Sequence, residues 1–494
     1  MTWFGVSKQG ASGPDSMTSA SALANTTVSS PELRRRLTQR QLTMMTIGGA
    51  IGVGLFLGSS MTIRLAGPGV IFSYLFSAVI AVIVAYSTAE MAVIHPVAGS
   101  FGVYAQTYLN EWSGFAVRAT YAFVQIIAIG AEVTAVAIYF SVWLPTVPQW
   151  IWVVGVSTSM IAINAQQVGN FGEFEYWFAI LKVIAIVAFI LFGLGLIFGR
   201  GPMRAVGFSN LTAHGGFLPH GMKGVWLAMT LTLTSYMGVE ILGVTAGEAA
   251  QPEKTIPGAM RTVSLRLILF YVLSMIVMLS ITPWDRMGSG LTGSPFVLTF
   301  AAAGVPYAGS VMNLVVITAA LSSANTNLYL TTRTIFSLSR DGYIGEALGR
   351  VGRNGTPYLA LFTSTGGMVA AILLAIFVPG QAFLLLYGIA VAGMFFVWTI
   401  ILLAHLAFRR TLGKLRIARL PIRLPLSPYL EIIALIGLAA IAISTFFVDG
   451  LQYSVLSLMP FLLLVTVFYW MLKRKNRSRL EGNPERDVFL SRSE

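Results

Sequence analysis

The chain has 494 residues, of which 56% are hydrophobic and only 10% are charged. Because soluble domains are about 25% charged, this composition excludes a soluble globular protein and indicates an integral membrane protein. The sequence contains no cysteine, which excludes disulfides and thiol chemistry. Its four histidines lie at widely separated positions, so no metal site is expected.

Residues 1–41 precede the first apolar segment and are predicted to form a disordered, basic tail on the cytoplasmic side. The beginning of this tail is rich in Ser, Thr, Ala and Gly and has no apolar core. Such a composition is typical of a disordered segment and differs from that of a signal peptide.

Twelve apolar stretches approach the length of about 20 residues that a helix needs to cross a bilayer. We number them helix 1 to helix 12, and they lie at 42–63, 69–88, 115–142, 150–165, 176–199, 224–245, 262–282, 308–333, 357–378, 382–406, 429–448 and 452–472. The predicted fold class is therefore an all-α, multi-pass membrane protein. An even number of spans places both termini on the same side of the membrane.

The distribution of lysine and arginine indicates which side that is. If the termini are cytoplasmic, most of the 32 lysines and arginines fall in cytoplasmic segments, as the positive-inside rule requires. This topology also explains the net charge of +13. The basic tails are therefore expected to meet anionic lipid of the cytoplasmic membrane, and no nucleic-acid partner is expected.

The spans are organised as two predicted repeats. Helices 1 to 5, at 42–199, and helices 6 to 10, at 224–406, are expected to be copies in opposite membrane orientation, because each set opens on an interrupted helix. Helices 11 and 12, at 429–472, lie outside the repeats. Residues 473–494 are predicted to form a cytoplasmic tail.

Helix 1 is interrupted by four glycines between Gly48 and Gly54. Each glycine costs a helix about 1 kcal/mol relative to alanine, and unwound backbone in a membrane must face protein or a watery cavity. Amides released at such a break can bind an anion and carbonyls can bind a cation, so the break suits a zwitterionic solute. Alternatively, Gly48 and Gly52 have the spacing of a close-packing face.

Helix 6 carries the second interrupted segment, 234–243. Within it, Tyr236 is interpreted either as a wall or gate of a pocket or as an ordinary packed tyrosine. Glu240 lies inside the span, where a carboxylate is costly and is by default functional. It is interpreted as a proton carrier, or else as a structural residue bonded to the break in helix 1.

Several motifs in order along the chain match one family. They are Gly48–Phe56 in helix 1, Pro96–Phe101 after helix 2, Glu175–Val183 in helix 5, Ala246–Pro257 after helix 6 and Ser322–Tyr329 in helix 8. From about Leu37 to Lys475 the chain resembles the amino acid transporter branch of the amino acid–polyamine–organocation superfamily. The resemblance implies a fold of five plus five inverted helices, with discontinuous helices 1 and 6, alternating access and usually proton coupling.

The resemblance also implies where a substrate binds. The amides of Gly52, Val53 and Gly54 are expected to bind a carboxylate, while the carbonyl of Ala50 and nearby carbonyls of helix 6 receive an amino group. The predicted substrate-binding residues are Ala50, Ile51, Gly52, Val53, Gly54, Ser235, Tyr236 and Gly238. Helices 1, 3, 6, 8 and 10 are expected to form the pocket, in which Val53 and Ile389 would suit a neutral solute.

Ionisable residues within the spans are candidates for proton coupling. The resemblance implies that Lys182 in helix 5 fills the volume where sodium-coupled relatives hold a sodium ion, beside Gly48 and the hydroxyls of Ser322 and Ser323. The alternative is a lysine that snorkels to the interface. Glu132 in helix 3 is expected either to line the pocket or to partner Lys182 or a break. The candidates are Lys182, Glu240, Glu132, Ser322 and Ser323.

Charged residues near span ends are interpreted as structural. These are Glu90 at the end of helix 2 and Glu431 at the start of helix 11. His405 lies near the end of helix 10, before Arg409 and Arg410, and is interpreted as an interfacial residue, with a proton relay as the alternative.

The sequence therefore predicts a secondary active transporter that imports an amino acid by proton symport with alternating access. The alternative is an exchanger of the same fold that trades an amino acid for a related amine without net proton coupling. No catalytic residues, cofactor or metal are predicted, because the sequence shows no nucleophile–base arrangement that an enzyme would need. The solute is left open among neutral, cationic and ω-amino acids, and nothing indicates the oligomeric state.

Overall fold

The computed structural model describes residues 38–97, 99–166, 171–199, 205–246, 249, 251–287, 294–302, 307–352, 357–378, 380–448 and 451–475. Most of the two predicted tails, 1–41 and 473–494, lies outside the described residues, at 1–37 and 476–494. Ala98 and the residues 247, 248 and 250 of the family motifs also lie outside them.

The regular elements of the described residues are helices, and each predicted span is helical. Helix 1 comprises Gln39–Ala50, Val53–Phe56 and Gly58–Ala66, and helix 6 comprises Gly221–Thr232, Leu233–Tyr236 and Ile241–Val244. The other spans are Val70–Ile94, Glu111–Ser141, Gln149–Gln166, Phe171–Ile197, Pro252–Ile281, Ala308–Arg340, Tyr358–Ser364 with Gly366–Phe377, Ala382–Ile417, Tyr429–Ser444 and Gln452–Lys475. Short helices connect them at Gly67–Gly69, Ser100–Tyr108, Asn210–Ala213, Trp284–Met287, Pro295–Ala302, Glu346–Gly349 and Thr445–Phe447.

The membrane-spanning character predicted from composition is confirmed. Within the described residues, ten helices are long and apolar enough to cross a membrane, and Leu42–Phe56 is a shorter apolar helix. The predicted bounds are too short for helices 3, 7 and 8, because helix continues past the apolar core into polar turns. Helix 3, for example, begins at Glu111, where the Asn110 side chain accepts a hydrogen bond of 2.9 Å from the Ser113 amide and caps the first turn.

The breaks in helices 1 and 6 touch each other. Helix 1 unwinds at Ile51 and Gly52, and helix 6 unwinds after Tyr236. Gly238 has φ +108°, and a Cβ atom there would lie 2.8 Å from the Ala50 nitrogen and 2.9 Å from the Gly49 carbonyl carbon. Only glycine tolerates both this conformation and this close approach.

Helix 3 lies inside the bundle and the last two helices lie outside it. Helix 3 packs against helices 4, 8, 9, 10 and 12, whereas helix 1 packs against helices 5, 6, 7 and 8. Most of the apolar surface of helices 11 and 12 is uncovered. Only 33% of the most apolar stretch of helix 11 and 11% of that of helix 12 are buried. Such surfaces suit lipid, so the functional residues lie among helices 1 to 10.

Candidate substrate and coupling site

A cavity lies where the two breaks meet. Its walls come from helices 1, 3, 6, 8 and 10, the helices that the family resemblance implies. The lining residues are Gly49, Ala50, Gly52, Val53, Gly54, Gln125, Ala128, Ala131, Glu132, Thr234, Ser235, Met237, Gly238, Ser323, Asn327, Tyr387 and Ala390. Six of the eight predicted substrate-binding residues are in this set, and the two others, Ile51 and Tyr236, are not.

Tyr236 is buried behind the break instead of lining the cavity. Its hydroxyl donates to the Tyr74 carbonyl oxygen at 3.0 Å, and its ring packs against the rings of Tyr74 and Tyr271 at centroid distances of 6.3 and 4.7 Å. Ile51 is fully buried in the apolar core. Both residues therefore support the breaks from outside the cavity. Ile389 likewise does not line the cavity, whereas its neighbour Ala390 does.

The Glu132 carboxylate lies directly against the break in helix 1. Its Oε1 accepts a hydrogen bond of 2.7 Å from the Ser323 hydroxyl, and the backbone amide of Val53 also interacts with the carboxylate. A Cβ on Gly52 would lie 2.7 Å from Glu132 Oε1. The sequence left open whether Glu132 lines the pocket or partners Lys182 or a break. In the structure, Glu132 lines the cavity and also contacts the break in helix 1.

Tyr271 joins the two breaks on their carbonyl side. This buried helix 7 residue places its hydroxyl 2.7 Å from the Ala50 carbonyl oxygen and 2.7 Å from the Ser235 carbonyl oxygen. One hydroxyl proton can be donated to only one of these two oxygens at a time. The carbonyls expected to receive an amino group are therefore held together by a single donor, which sequence reasoning missed because a tyrosine in an apolar helix carries no distinguishing pattern.

Glu240 is bound to its own helix break. Both carboxylate oxygens lie 3.1 Å from the Gly238 amide, and the Trp398 indole donates to Oε2 at 3.4 Å. The side chain is fully buried and does not line the cavity. The arrangement resembles the structural alternative for this residue, except that the bonded break belongs to helix 6 and not to helix 1.

Lys182 contacts helix 1 next to its break. Its Nζ donates to the Gly48 carbonyl oxygen at 2.5 Å, and the side chain is only 1% exposed. A snorkelling lysine would keep its ammonium in water, so this alternative is wrong. The charges that act on Lys182 are those of Glu175 and Glu132.

Ser322 and Ser323 hold these two acidic groups and not the lysine. The Ser322 hydroxyl donates to Glu175 Oε1 at 2.6 Å, and the Ser323 hydroxyl donates to Glu132 Oε1 at 2.7 Å. Sequence reasoning included Glu175 in a family motif but gave it no role. Its position seven residues before Lys182 was the available signal, since that spacing puts both side chains on one face of a helix.

A second buried polar cluster joins helices 2, 10 and 11 away from the cavity. His405 lies between two carboxylates, with Nε2 3.4 Å from Glu90 Oε2 and Nδ1 3.1 Å from Glu431 Oε1. Arg409 donates to both oxygens of Glu90, at 2.9 and 2.7 Å. His405 is completely buried, so its interpretation as an interfacial residue is wrong. The cluster ties the peripheral helix 11 to the bundle.

Comparison with known proteins identifies the family. Residues 41–481 match the model of the amino acid permease family. The chain is 39% identical over 442 residues to the uncharacterized amino acid permease YtnA of Bacillus subtilis, covering 89% of this chain and 95% of the relative. It is 38% identical to the aromatic amino acid transport protein AroP of Escherichia coli over 456 residues, covering 92% of this chain and 98% of the relative.

The matched region extends over nearly the whole chain, and it includes both breaks and the buried charges of helices 3 and 5. Members of this family transport amino acids and are not enzymes, in agreement with the sequence. The chain belongs to the amino acid permease family, as the resemblance of its motifs predicted.

Proposed function

We propose that the chain is a secondary active transporter that imports an amino acid across the cytoplasmic membrane by proton symport and alternating access, with both termini in the cytoplasm. The observation that carries this proposal is the bond from Lys182 Nζ to the Gly48 carbonyl oxygen next to the break in helix 1, where the charges of the buried Glu132 and Glu175 act on the lysine. The orientation is supported by the distribution of lysine and arginine.

Substrate binding follows from the two kinds of backbone group at the cavity. Among the lining residues, Val53 and Gly54 would supply amide donors for a carboxylate, and Ala50 and Ser235 would supply carbonyl acceptors for an ammonium group. The Gly52 amide, which was also expected to bind the carboxylate, donates to the Ala50 carbonyl oxygen at 3.1 Å. An ammonium group carries three donors, so it can bond both carbonyls together, whereas the Tyr271 hydroxyl can bond only one at a time. A bound amino acid would thus satisfy the breaks better than the empty protein does.

Proton coupling follows from the position of Glu132. Its carboxylate already lies against the Val53 amide, so an incoming substrate carboxylate would meet a like charge at the same donors. Like charges at close range repel strongly in a low-dielectric site. Protonation of Glu132 removes this repulsion, and we propose that a proton and the substrate therefore bind together.

The charge of Lys182 couples proton binding to the position of helix 1. An ammonium group bonded to the Gly48 carbonyl fastens the first half of helix 1 to helix 5, and a neutral amine would hold it less strongly. A change in charge at Lys182 would therefore shift the balance between two positions of helix 1. This is the step at which we propose that proton movement drives alternating access.

Apart from Glu132, the residues that line the cavity are uncharged. Ala128, Ala131, Met237 and Ala390 form an apolar part of the wall, and Gln125, Thr234, Asn327 and Tyr387 add uncharged polar groups. An uncharged side chain can pack against the apolar part without burying a charge. Relatives that are 38% identical are named aromatic amino acid transport proteins. We therefore propose a neutral amino acid as the substrate and expect aromatic amino acids to be preferred.

Uptake into proteoliposomes tests this function. Labelled phenylalanine, tyrosine, tryptophan, leucine, lysine and γ-aminobutyrate would be offered separately under an inward proton gradient, with either sodium or choline outside. Concentrative uptake that a protonophore abolishes and sodium leaves unchanged is the expected result. Sodium-dependent uptake at constant pH would contradict the proposal, and label exchange restricted to preloaded liposomes would assign an exchanger instead.

A further inference from the structure

Glu175 is a fully buried carboxylate at the beginning of helix 5. An ionised carboxylate is costly to bury unless a cation and hydrogen-bond donors compensate it. Ser322 donates to Oε1 at 2.6 Å, and Asn325 and Thr326 of the same helix lie nearby. Oε2 nevertheless accepts no hydrogen bond from the described residues. One oxygen of this group is therefore available as an acceptor.

Lys182 is the cation whose charge acts on Glu175. Among the described residues, no other charged side chain from helix 1, 5, 7 or 8 acts on this carboxylate. The nearby guanidinium of Arg40 lies 4.3 Å above the ring of Tyr176 instead. Seven residues of helix separate the Cα atoms of Glu175 and Lys182 by about 10 Å, and both side chains approach Gly48 of helix 1.

Both side chains meet helix 1 at one glycine. The Gly48 carbonyl accepts from Lys182 Nζ, and a Cβ on Gly48 would lie only 2.8 Å from Glu175 Oε1. A displacement of helix 1 therefore changes the surroundings of the lysine and of the carboxylate together. This shared contact couples the position of the broken helix to the exchange of a proton between the two groups.

The three buried ionisable groups form a series from the cavity to the beginning of helix 5. Glu132 lines the cavity, whereas Lys182 and Glu175 do not, and the charges of both carboxylates act on Lys182. With cytoplasmic termini, helix 5 begins on the cytoplasmic side of the membrane. Glu175 is thus the member of the series nearest the cytoplasm.

We propose that Glu175 accepts the transported proton from Lys182 and releases it to the cytoplasm. The ammonium of Lys182 loses one N–H proton to Glu175 Oε2, and the resulting amine takes the proton of the Glu132 carboxylic acid. Glu132 becomes a carboxylate again, Lys182 regains its charge, and Glu175 then gives its proton to cytoplasmic water. One proton has moved inward and no charge has been created. This inference rests on the proton symport proposed above.

Glu175→Gln tests the inference, because the amide keeps the size of the side chain and an acceptor for Ser322 but cannot carry the proton. Proteoliposomes would be assayed for accumulation driven by a proton gradient and for counterflow exchange without a gradient. We expect at least a tenfold loss of accumulation with counterflow within a factor of two of wild type. Glu175→Asp, which keeps a carboxyl group, should regain part of the accumulation.

Glu253→Gln serves as the matched control, because Glu253 is an exposed carboxylate in the first turn of helix 7. It should behave as wild type in both assays. Wild-type accumulation by Glu175→Gln would overturn the inference, and an equal loss of accumulation and counterflow would also overturn it in favour of a structural counter-ion. A wild-type protein that ignores the proton gradient would instead overturn the symport itself.

Discussion

Ser322 and Ser323 are neighbours on helix 8, yet their hydroxyls donate to carboxylates from two different helices. Ser322 holds Glu175 of helix 5 at 2.6 Å, and Ser323 holds Glu132 of helix 3 at 2.7 Å. Lys182 interacts with both carboxylates. Two adjacent hydroxyls thus hold both of the acidic groups whose charges act on one lysine, and removing them separately should have separate effects.

Ser323→Ala should change substrate binding, whereas Ser322→Ala should weaken proton coupling. The first variant releases the carboxylate that lies at the break in helix 1, and the second releases the carboxylate that does not line the cavity. A lost hydrogen bond to a charged group is worth about 1.5–3 kcal/mol, so without Ser323 the Glu132 carboxylate takes up a proton more readily. Because protonation removes the repulsion of the substrate carboxylate, we expect a roughly tenfold or greater fall in KM for Ser323→Ala. Ser322→Ala should keep KM within about threefold while lowering gradient-driven accumulation.

The same two assays on both variants provide the control, since each serine is the reference for the other. Identical effects of the two variants on KM and accumulation would show that Ser323 and Ser322 do not have separate roles in substrate binding and proton coupling.

Gly54→Val should abolish transport while the protein still reaches the membrane. A Cβ at this position would lie 2.9 Å from the Tyr387 hydroxyl and 3.0 Å from the Ser235 Cα atom, which is backbone. The Tyr387 hydroxyl is itself fixed by a bond of 2.5 Å to Thr234, so neither neighbour can move aside without disturbing the break in helix 6. Uptake of labelled substrate and the amount of the variant protein in the membrane should be measured on the same cells.

Gly155→Val in helix 4 is the matched control, because no described atom lies within 4 Å of a Cβ placed there. It should transport as wild type. Normal uptake by Gly54→Val would contradict the assignment of the helix 1 break to substrate binding.

Tyr271→Phe should lower substrate affinity about tenfold without abolishing expression. The change removes the donor shared by the Ala50 and Ser235 carbonyls, and the loss of such a hydrogen bond costs about 0.5–1.5 kcal/mol. Loss of this bridge frees the two breaks to separate. Part of the binding free energy of the substrate must then be used to bring the breaks together, which the hydroxyl does in the wild type. Equilibrium binding of labelled substrate to the detergent-solubilised protein measures the effect.

Tyr236→Phe provides the comparison, since its hydroxyl bonds the Tyr74 carbonyl outside the cavity. We expect a smaller effect on affinity, within about threefold. Equal losses in both variants would mean that the Tyr271 bridge has no special relation to the substrate.

His405→Gln should destabilise the protein without changing the coupling of substrate to protons. His405 is buried between Glu90 and Glu431, and removing one partner of a buried charged cluster typically costs about 3–5 kcal/mol. The melting temperature in detergent should fall by several degrees relative to wild type and to Glu253→Gln. A variant that melts normally but accumulates substrate poorly would assign His405 to the proton path instead.

The positions of the helices and of both breaks could be predicted from the sequence, because each depends on local properties. Apolar length identifies a span, and the four glycines between Gly48 and Gly54 mark an interruption that the structure places at Ile51 and Gly52. The ends of the helices could be predicted less well than their positions. Helix 3 begins four residues earlier than predicted because the Asn110 cap lies outside the apolar stretch.

The partners of the site residues could not be predicted, because they depend on which faces of distant helices meet. Nothing local distinguishes Tyr271, which binds two breaks, from Tyr236, which packs behind one. The roles of Glu132 and Glu175 likewise become visible only when helix 8 brings Ser322 and Ser323 between helices 3 and 5. His405 was misjudged because its closeness to Arg409 and Arg410 resembles an interface, whereas Glu90 and Glu431 arrive from other helices and bury it.

The central claim, that substrate and proton move together through the site at Lys182, is tested most directly by proton flux. A pH-sensitive dye trapped inside proteoliposomes would report internal pH after addition of a transported amino acid, with no gradient imposed and the membrane potential clamped. Wild type should acidify the interior in proportion to the substrate that enters, and Lys182→Met should exchange substrate without acidification. Entry of substrate into wild-type proteoliposomes with constant internal pH would contradict the account.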